Sequence, residues 1–287
     1  MGRVRRMPPA VGLLIAAGLV LWPRALAAQE PLPSVEEILR KTIARAQWAE
    51  EQKFDSKYAY RRHSVQEELD NQGKLKKRRD TVYQVFPIED RPYARAVLKD
   101  GQPLSARELK EEQKRERKFR AALAKEKKKP PQPKKKDDDD IEFNEEVAAK
   151  YRFTLLGRET LEGRPVFVLA FEPKAKDLPV RRRIDNFLNR VAGKLWIDEQ
   201  EHEIARGEVR LLEPVRLWSG VLGTLRRLEL LWEQARLEDG AWLTRHVAGE
   251  MSGRVLFKSL NLRLNSEYAD FQKVTPEIAR RQGLPGE

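Results

Sequence analysis

Residues that could carry out chemistry are few, and their spacing matches no familiar site. The three histidines, His63, His202 and His246, lie on separate segments, with neither an HExxH motif nor a paired spacing. A metal site needs several such ligands together, and the chain has no cysteine to supply thiolates. We therefore expect no metal and no catalytic residue. We interpret His202, between Glu201 and Glu203, as a solvated turn residue.

Motifs of covalent catalysis and cofactor binding are also missing from the sequence. Ser219 precedes a glycine in WSGVLG, but there is no GxSxG elbow and no identified base for this serine. Neither GxGxxG nor a P-loop occurs, so we expect no cofactor. Chance pairs of carboxylates are common among 45 acidic residues and carry no signal. An enzyme whose residues converge from distant segments remains the second alternative function.

The positive charge of the chain is concentrated in one region. The formal net charge is +12. Residues 107 to 140 hold 14 Lys or Arg against 9 Asp or Glu, and the rest of the chain past residue 27 has only a small excess. Nucleic-acid binding needs a basic stripe on a folded surface with stacking aromatic residues. Because the charge lies on an apparent arm, we expect no nucleic acid as a partner.

The beginning of the sequence has the order of a secretory signal. Basic residues precede an apolar run of about twelve residues, which is short of the roughly 20 needed to span a bilayer, and Ala25 and Ala27 form an A-x-A site. We expect cleavage after Ala27, so that residues 1–27 are a signal peptide and 28–287 form one domain. The lipid-attachment cysteine of lipoprotein signals is missing. We therefore expect a periplasmic protein.

The rest of the chain predicts mainly strands with a few helices. Ser34 and Glu37 begin a capped helix with one apolar face, which needs a sheet to pack on. Three antiparallel strands follow it, and alternating segments resume at Tyr151. We expect about nine to eleven strands. A short helix near residues 182–191 is predicted to present Ile184, Phe187, Leu188 and Val191 to the sheet.

Residues 105 to about 150 interrupt this pattern. Ser105 and Glu108 begin a second capped helix, whose large apolar residues are too few for a buried stripe. Proline and opposed blocks of charge follow it, and residues 125–140 are predicted to be disordered. We interpret the segment as a solvated, charged helical and disordered insert. Docking on an anionic membrane or on an acidic partner is the alternative.

Residues 193 to 215 predict a hairpin with an apolar and a charged face. Side chains alternate along a strand, so Leu195 and Ile197 share one face while Lys194 and Asp198 share the other. The returning strand places four small or apolar residues on the first face: Ala205, Gly207, Val209 and Leu211. Trp196 lies on the charged face, where it could cover the stem of Arg206 or Arg210. The apolar face must pack on helices, a partner or a ligand.

The order of these segments resembles one family, the outer-membrane lipoprotein-sorting or LolA-like periplasmic proteins, in a branch with a charged insert. The pieces that carry the resemblance are, in order, the signal, SVEEILRKTIARA, YAYRRH, KDGQPLS, GRPVFVLAFEPK, GKLWIDEQEHEIARGEVRLLEPV, DGAWLTR and EYADFQKV. The resemblance implies a curved antiparallel sheet forming an incomplete β-barrel, with helices across its concave face and an apolar cavity between them. It also implies a carrier of lipoproteins, whose acyl chains the cavity shields from water. The charged insert departs from the compact carriers and leaves the cargo open.

From the resemblance and from the surplus of two-faced strands, we predict a non-catalytic carrier that binds lipoprotein acyl chains or another lipid for delivery toward the outer membrane. The candidate residues lining the site are Leu195, Ile197, Val209, Leu211, Leu243, Val247, Leu260, Leu262 and Leu264. For each of them, ordinary core packing is the competing interpretation. The expected partners are the lipid or lipoprotein cargo and an inner- or outer-membrane protein that docks on the charged arm, and the protein is expected to be a monomer. The first alternative function is an envelope-stress sensor or regulatory module of the same fold.

Overall fold

The computed structural model describes residues 31–89, 91–127, 142–175, 178–217, 223–255 and 258–275. The predicted signal peptide, Ser219 and most of the segment predicted to be disordered lie outside the described residues. Within them the chain forms four α-helices: α1 (Val35–Gln52), α2 (Ala106–Lys127), α3 (Glu145–Ala149) and α4 (Asp185–Leu188). None of the described helices is both long enough and apolar enough to cross a membrane.

The described strands form one twelve-stranded antiparallel sheet. In chain order they are β1 (Tyr58–Leu69), β2 (Leu75–Ile88), β3 (Arg91–Lys99), β4 (Gln102–Pro103), β5 (Tyr151–Leu161), β6 (Arg164–Pro173), β7 (Val191–Asp198), β8 (Ile204–Leu211), β9 (Val215–Leu217), β10 (Gly223–Arg236), β11 (Trp242–Val255) and β12 (Lys258–Lys273). Their spatial order is β4-β3-β2-β1-β12-β11-β10-β8-β7-β6-β5, and β9 pairs with β10 beside this path. The sheet is not closed, and the predicted fold class, mainly β with helices in an open antiparallel sheet, is confirmed.

Both predicted helix starts are present. The Ser34 hydroxyl accepts a hydrogen bond from the Glu37 backbone N–H at 3.1 Å, but the Glu37 carboxylate pairs with Lys41 at 2.8 Å instead of returning to the cap. At α2 the capping box is reciprocal, because Glu108 accepts from the Ser105 backbone N–H at 3.0 Å and its own N–H donates to the Ser105 hydroxyl. Local side-chain chemistry therefore fixes where each helix begins.

Three helices cover one half of one face of the sheet. We call this the helix face, defined by Leu195 and Ile197, and the opposite one the charged face, defined by Lys194 and Glu208. The main core on the helix face joins β5–β8 to α1, α3 and α4 through Ile38, Val147 and Leu188. The predicted apolar side of the short helix, Ile184, Phe187, Leu188 and Val191, lies in this core.

Helix α2 packs on the other side of the sheet. Phe86 alternates with Val85 along β2, and Val85 pairs with Tyr60 of β1 on the helix face, so Phe86 points to the charged face. Phe119 and Leu123 of α2 pack there against Phe86 and Tyr93, and the Phe119 and Tyr93 ring centroids are 5.1 Å apart. The prediction that this helix is a solvated arm is therefore wrong. The Phe119 ring, the buried Leu123 and ion pairs such as Arg95 with Glu116 dock it on the sheet.

Candidate functional site

Two of the three histidines are held in pairs with polar side chains of neighbouring strands. His63 Nε2 lies 2.7 Å from the Asp80 carboxylate, and His246 Nε2 lies 2.7 Å from Asn265 Oδ1. His202 sits in the turn between β7 and β8 at a positive φ of 57°, and burial lowers its pKa. Among the described residues, no group of three His, Asp or Glu side chains could hold a metal ion.

The first predicted lining residues lie in the core under the helices. Ile197 is fully buried and Leu195 is 5% exposed, both packed with residues of α1 and α4. Val209 and Leu211 are partly buried at the margin of the same core. A β-bulge opposite Trp196 pairs Ile197 with Ile204, so Ile204 joins this core where the simple alternation had placed Ala205.

Leu243 belongs to a separate cluster. It is 3% exposed and packs with Tyr58 and Ala241, close to Phe54. A ligand could reach it only by displacing these neighbours. Core packing therefore accounts for Leu243 as well as for Leu195 and Ile197.

The other four predicted residues, Val247, Leu260, Leu262 and Leu264, occupy the helix face beyond the helices. Register places Leu264 beside Gly249 and Leu262 beside Met251, and these in turn pair with Leu230 and Leu228. All are only partly buried, and none belongs to a core cluster of the described residues. We call these seven side chains the outer apolar surface: Leu228, Leu230, Val247, Met251, Leu260, Leu262 and Leu264.

Three members of this surface, Leu228, Leu230 and Met251, were not among the predicted residues. The signal for the two leucines was present, because they alternate with Arg227, Glu229 and Leu231 along β10. Met251 follows a glycine-containing stretch of β11 in which alternation is weak. Only the pairing of β11 with β10 and β12 shows that Met251 shares their apolar face.

Glycines shape this surface and its border with the core. The Trp232 ring lies over Gly207, where an added Cβ would fall 2.1 Å from Trp232 Cζ2. The Trp232 side chain therefore lies between the main core, which it packs against, and Val247 of the outer apolar surface. Gly249 lies in the row between Leu230 and Leu264, and an added Cβ there would fall 3.3 Å from Leu230 Cδ1, so the Leu230 side chain leans over this glycine.

Polar residues of β1 form the opposite border. Ser64, Gln66 and Glu68 pair with Ser266, Leu264 and Leu262 of β12, and the Ser64 and Ser266 hydroxyls are hydrogen-bonded at 2.9 Å. The outer apolar surface thus spans three strands, about 10 Å between the outer two at the usual strand spacing. It is a bounded strip with a polar edge.

An ionic network holds α1 over the core and away from this strip. Arg45 Nε lies 2.7 Å from Glu203 Oε2 in the β7–β8 turn, and its Nη2 lies 3.7 Å from Glu201. Glu201 also accepts a hydrogen bond from Trp242 Nε1 at 2.7 Å and pairs with Arg236. Burial raises the pKa of Glu203, and the hydrogen bond from Arg45 opposes that shift. The helix is thereby fixed to the β7–β8 end of the sheet.

The charged face carries a ladder of ion pairs across neighbouring strands. Arg152 pairs with Glu172 at 3.2 Å, and Arg263 pairs with Glu250 at 2.8 Å and with Glu67 at 3.3 Å. These pairs keep a solvent-facing sheet surface polar, although exposed pairs each contribute little to stability. Trp196 lies on this face beneath Arg206, 4.7 Å from the ring centroid to the guanidinium carbon, as its position in the sequence indicated.

A groove of about 890 Å³ lies on the same charged face, and the sequence did not predict it. Its lining includes the small residues Ala170, Ala192 and Ala248, with Lys194 and Arg210 beside them. Charged side chains such as Glu208 and Arg263 line it together with apolar ones, and Leu230 and Leu264 of the outer apolar surface also border it. The two faces therefore offer two alternative places for an amphipathic ligand, and an experiment must distinguish them.

Comparison with known proteins gives matches only among solved structures. No protein-family model and no curated protein matches the sequence. A putative outer membrane lipoprotein-sorting protein domain from Vibrio parahaemolyticus is 14% identical, covering 83% of this chain and 94% of that one, with a TM-score of 0.32. A LolA superfamily protein from Nitrosomonas europaea is 12% identical, covering 86% and 97%, with a TM-score of 0.30. The Pseudomonas aeruginosa MucA/MucB complex contains a chain 12% identical, covering 84% and 97%, with a TM-score of 0.22.

Two of these structures bear the lipoprotein-sorting or LolA name that the sequence resemblance indicated. Identities and TM-scores this low support no assignment of function.

Proposed function

We propose that this protein is a non-catalytic periplasmic carrier that binds the acyl chains of a lipid or lipoprotein on its outer apolar surface. One observation carries the proposal. Seven apolar side chains share one face of three adjacent strands, and they remain partly exposed while α1, α3 and α4 cover only the neighbouring half of that face. Contiguous apolar surface that stays partly exposed supports an interaction site.

The energetics of such a surface suit an acyl chain. Each methylene removed from water contributes about 0.8 kcal/mol, so a chain that buries half of its length could bind in the micromolar range after the costs of association. A strip about three strands wide, with a wall at Trp232 and a polar edge at Ser64, fits an elongated apolar ligand better than a compact one. Delivery toward the outer membrane would follow from exchange of this ligand.

Titration of the delipidated protein with a fluorescent acyl probe tests the proposal. We expect saturable binding, competed by a lipopeptide, and an increase of about tenfold in Kd for Leu262→Asn, equivalent to about 1.4 kcal/mol. Leu262 is partly exposed, so this variant should remain folded, and its unfolding curve is measured alongside.

Two control variants locate the site. Leu109→Asn alters an exposed leucine of α2, which packs on β2 and β3 on the side of the sheet opposite the outer apolar surface, and should leave binding unchanged. Leu156→Asn alters an exposed leucine that lines the groove on the charged face. If Leu156→Asn weakens binding and Leu262→Asn does not, the ligand lies in the groove and the proposed site is wrong.

The alternative to a lipid is a second protein that binds the outer apolar surface. Absence of saturable probe uptake would reject the carrier and would favour the sensor or regulatory module.

Sedimentation of the free protein tests the predicted monomer, because a second copy of the chain on this surface would produce a dimer that Leu262→Asn disrupts. Export with cleavage after Ala27 stays a prediction, which the intact mass of the periplasmic product tests.

A further inference from the structure

Packing of α2 on the sheet sorts its charges onto two sides. The helix contains nine Lys or Arg and five Glu residues. Three of the glutamates, Glu108, Glu112 and Glu116, follow each other at intervals of four and share the side that meets the sheet. The inner side of α2 is therefore its acidic side.

Side chains of β3 and of α2 itself form ion pairs and hydrogen bonds with these three acids. Lys99 of β3 lies 2.9 Å from Glu108, and Arg95 of β3 lies 2.9 Å from Glu116. Glu112 accepts a hydrogen bond from the buried Tyr93 hydroxyl at 2.8 Å and pairs with Arg115 at 2.6 Å. Since Lys99 and Arg95 of β3 and Arg115 of α2 pair with the inner acids, these acids do little to offset the bases on the outer side.

The outer side of α2 is almost purely basic. At 100° per residue, the positions opposite the sheet are the alanines Ala106, Ala121 and Ala124 and six bases: Arg107, Lys110, Lys114, Arg117, Lys118 and Lys125. We call these six bases the basic stripe. Every one of them is exposed. Arg107 pairs with Glu111 at 3.2 Å, and the other five have no ion pair with any residue that the structure describes.

We propose that the basic stripe docks the protein on an anionic lipid membrane surface. The stripe extends over about 27 Å at the rise of an α-helix, long enough to present all of its charges to a flat surface at once. Four of the six bases are lysines, and the outer side of α2 carries no aromatic residue.

This composition distinguishes a membrane from an acidic protein. Protein interfaces are enriched in aromatic residues and arginine and depleted in lysine, because lysine is strongly hydrated and makes no bidentate contact. A row of mobile point charges instead suits a laterally averaged negative surface, at about 1 kcal/mol for each Lys or Arg near it. Helix α2 lies on the charged face, so docking through the stripe leaves the outer apolar surface on the opposite side of the sheet free. The proposal does not depend on acyl-chain binding.

Flotation with vesicles tests this inference. The protein is mixed with vesicles that are half phosphatidylglycerol and half phosphatidylethanolamine, or with pure phosphatidylcholine vesicles. We expect binding to the anionic vesicles only, with loss of binding when salt rises from about 0.05 M to about 0.5 M, because the stripe is exposed to screening. The same binding to both vesicle types, or binding that resists salt, would overturn the proposal.

Two triple variants that lower the net charge equally distinguish the effect of the basic stripe from the effect of net charge. Lys110→Gln, Lys114→Gln and Lys118→Gln together should reduce partitioning onto anionic vesicles by about 100-fold, from three charges at about 1 kcal/mol each. The control removes three exposed lysines elsewhere, Lys77→Gln, Lys174→Gln and Lys258→Gln, and should bind nearly as the original protein does. All proteins share one N-terminus, so its apolar run contributes equally to each measurement. Equal losses in both triple variants would show that net charge alone acts and would contradict the stripe.

A charge-conserving variant and a soluble polyanion complete the test. Lys110→Arg, Lys114→Arg and Lys118→Arg together should restore binding, which excludes a folding defect as the cause of the loss. Polyglutamate is the probe for an acidic protein. If it binds and depends on the same three lysines while anionic vesicles do not bind, the partner is an acidic protein and the membrane proposal is wrong.

Discussion

Replacing Ile197 with alanine should lower the free energy of unfolding by about 3 to 4 kcal/mol, whereas Leu262→Ala should lower it by about 1 kcal/mol or less. Both positions were predicted to line one ligand site. Ile197 is fully buried in the core beneath α1 and α4, and Leu262 is partly exposed on β12. The pair therefore tests whether the two halves of the helix face differ as the structure indicates.

The magnitude at Ile197 has two parts. Truncation removes three carbon atoms that were out of water, which costs about 2.4 kcal/mol at about 0.8 kcal/mol each. A residual cavity of about 50 Å³ adds about 1 kcal/mol, because close-packed neighbours relax only in part. At Leu262 the removed atoms are already partly hydrated, and water can enter the space that they leave. Both the transfer cost and the cavity cost are therefore smaller there than at Ile197.

Urea unfolding followed by tryptophan fluorescence measures both variants. The slope of free energy against urea concentration should match the original protein in each case, which shows that the unfolded states are comparable. If Leu262→Ala costs as much as Ile197→Ala, then β10–β12 are covered as fully as β5–β8. In that case no open apolar surface exists, and the carrier proposal loses its supporting observation.

Other predictions concern α2 and the β7–β8 turn. Phe119→Ala should loosen α2, because it removes the ring against Tyr93, and limited proteolysis should then cut within Ala106–Lys127 much sooner than in the original protein. Acid should loosen α2 as well: hydrogen bonds from Lys99 and Ser105 lower the pKa of Glu108 to about 2 from a usual 4.5, so its stabilising contribution is present above about pH 4.5 and is lost as pH falls toward 2. The check is hydrogen exchange of the α2 backbone amides, expressed as protection relative to an unfolded chain at the same pH. Protection that does not fall across that range would contradict this prediction. Asp198→Asn should lower the free energy of unfolding by about 2 to 3 kcal/mol, because Asp198 is fully buried, its carboxylate pairs twice with Arg164 at 2.6 and 2.9 Å, and a neutral amide leaves Arg164 only the more distant Glu201 carboxylate at 3.8 Å. Urea unfolding measures this change in free energy, and a change near zero would show that water hydrates Arg164 in place of the carboxylate.

Much of the fold was predictable because it depends on neighbours in sequence. Alternation along strands separated Leu195 and Ile197 from Lys194, and the structure places them on opposite faces. Serine caps located the first residues of α1 and α2 to within one position. Each of these features is decided within a few residues by backbone periodicity or by a local hydrogen bond.

Docking of α2 was missed because its energy comes from long-range matches. Phe119 and Leu123 look too few for a buried stripe when α2 is considered alone. The sheet supplies Phe86 and Tyr93 for them, and β3 supplies Arg95 for the inner acids. The sequence records the charges of α2 but not which of them the sheet neutralises.

The sequence by itself determined the mainly β class, the hairpin between residues 193 and 215, and the set of apolar side chains available to one face. Only the tertiary structure decided which of those side chains are covered. Ile197 and Leu262 have the same alternating pattern around them, yet α1 and α4 lie over the first, whereas no core cluster of the described residues includes the second. The physical reason is that alternation specifies only the face of a strand. Burial depends on which distant element packs there, and that is set by strand order and by contacts such as Arg45 with Glu203, 158 residues apart.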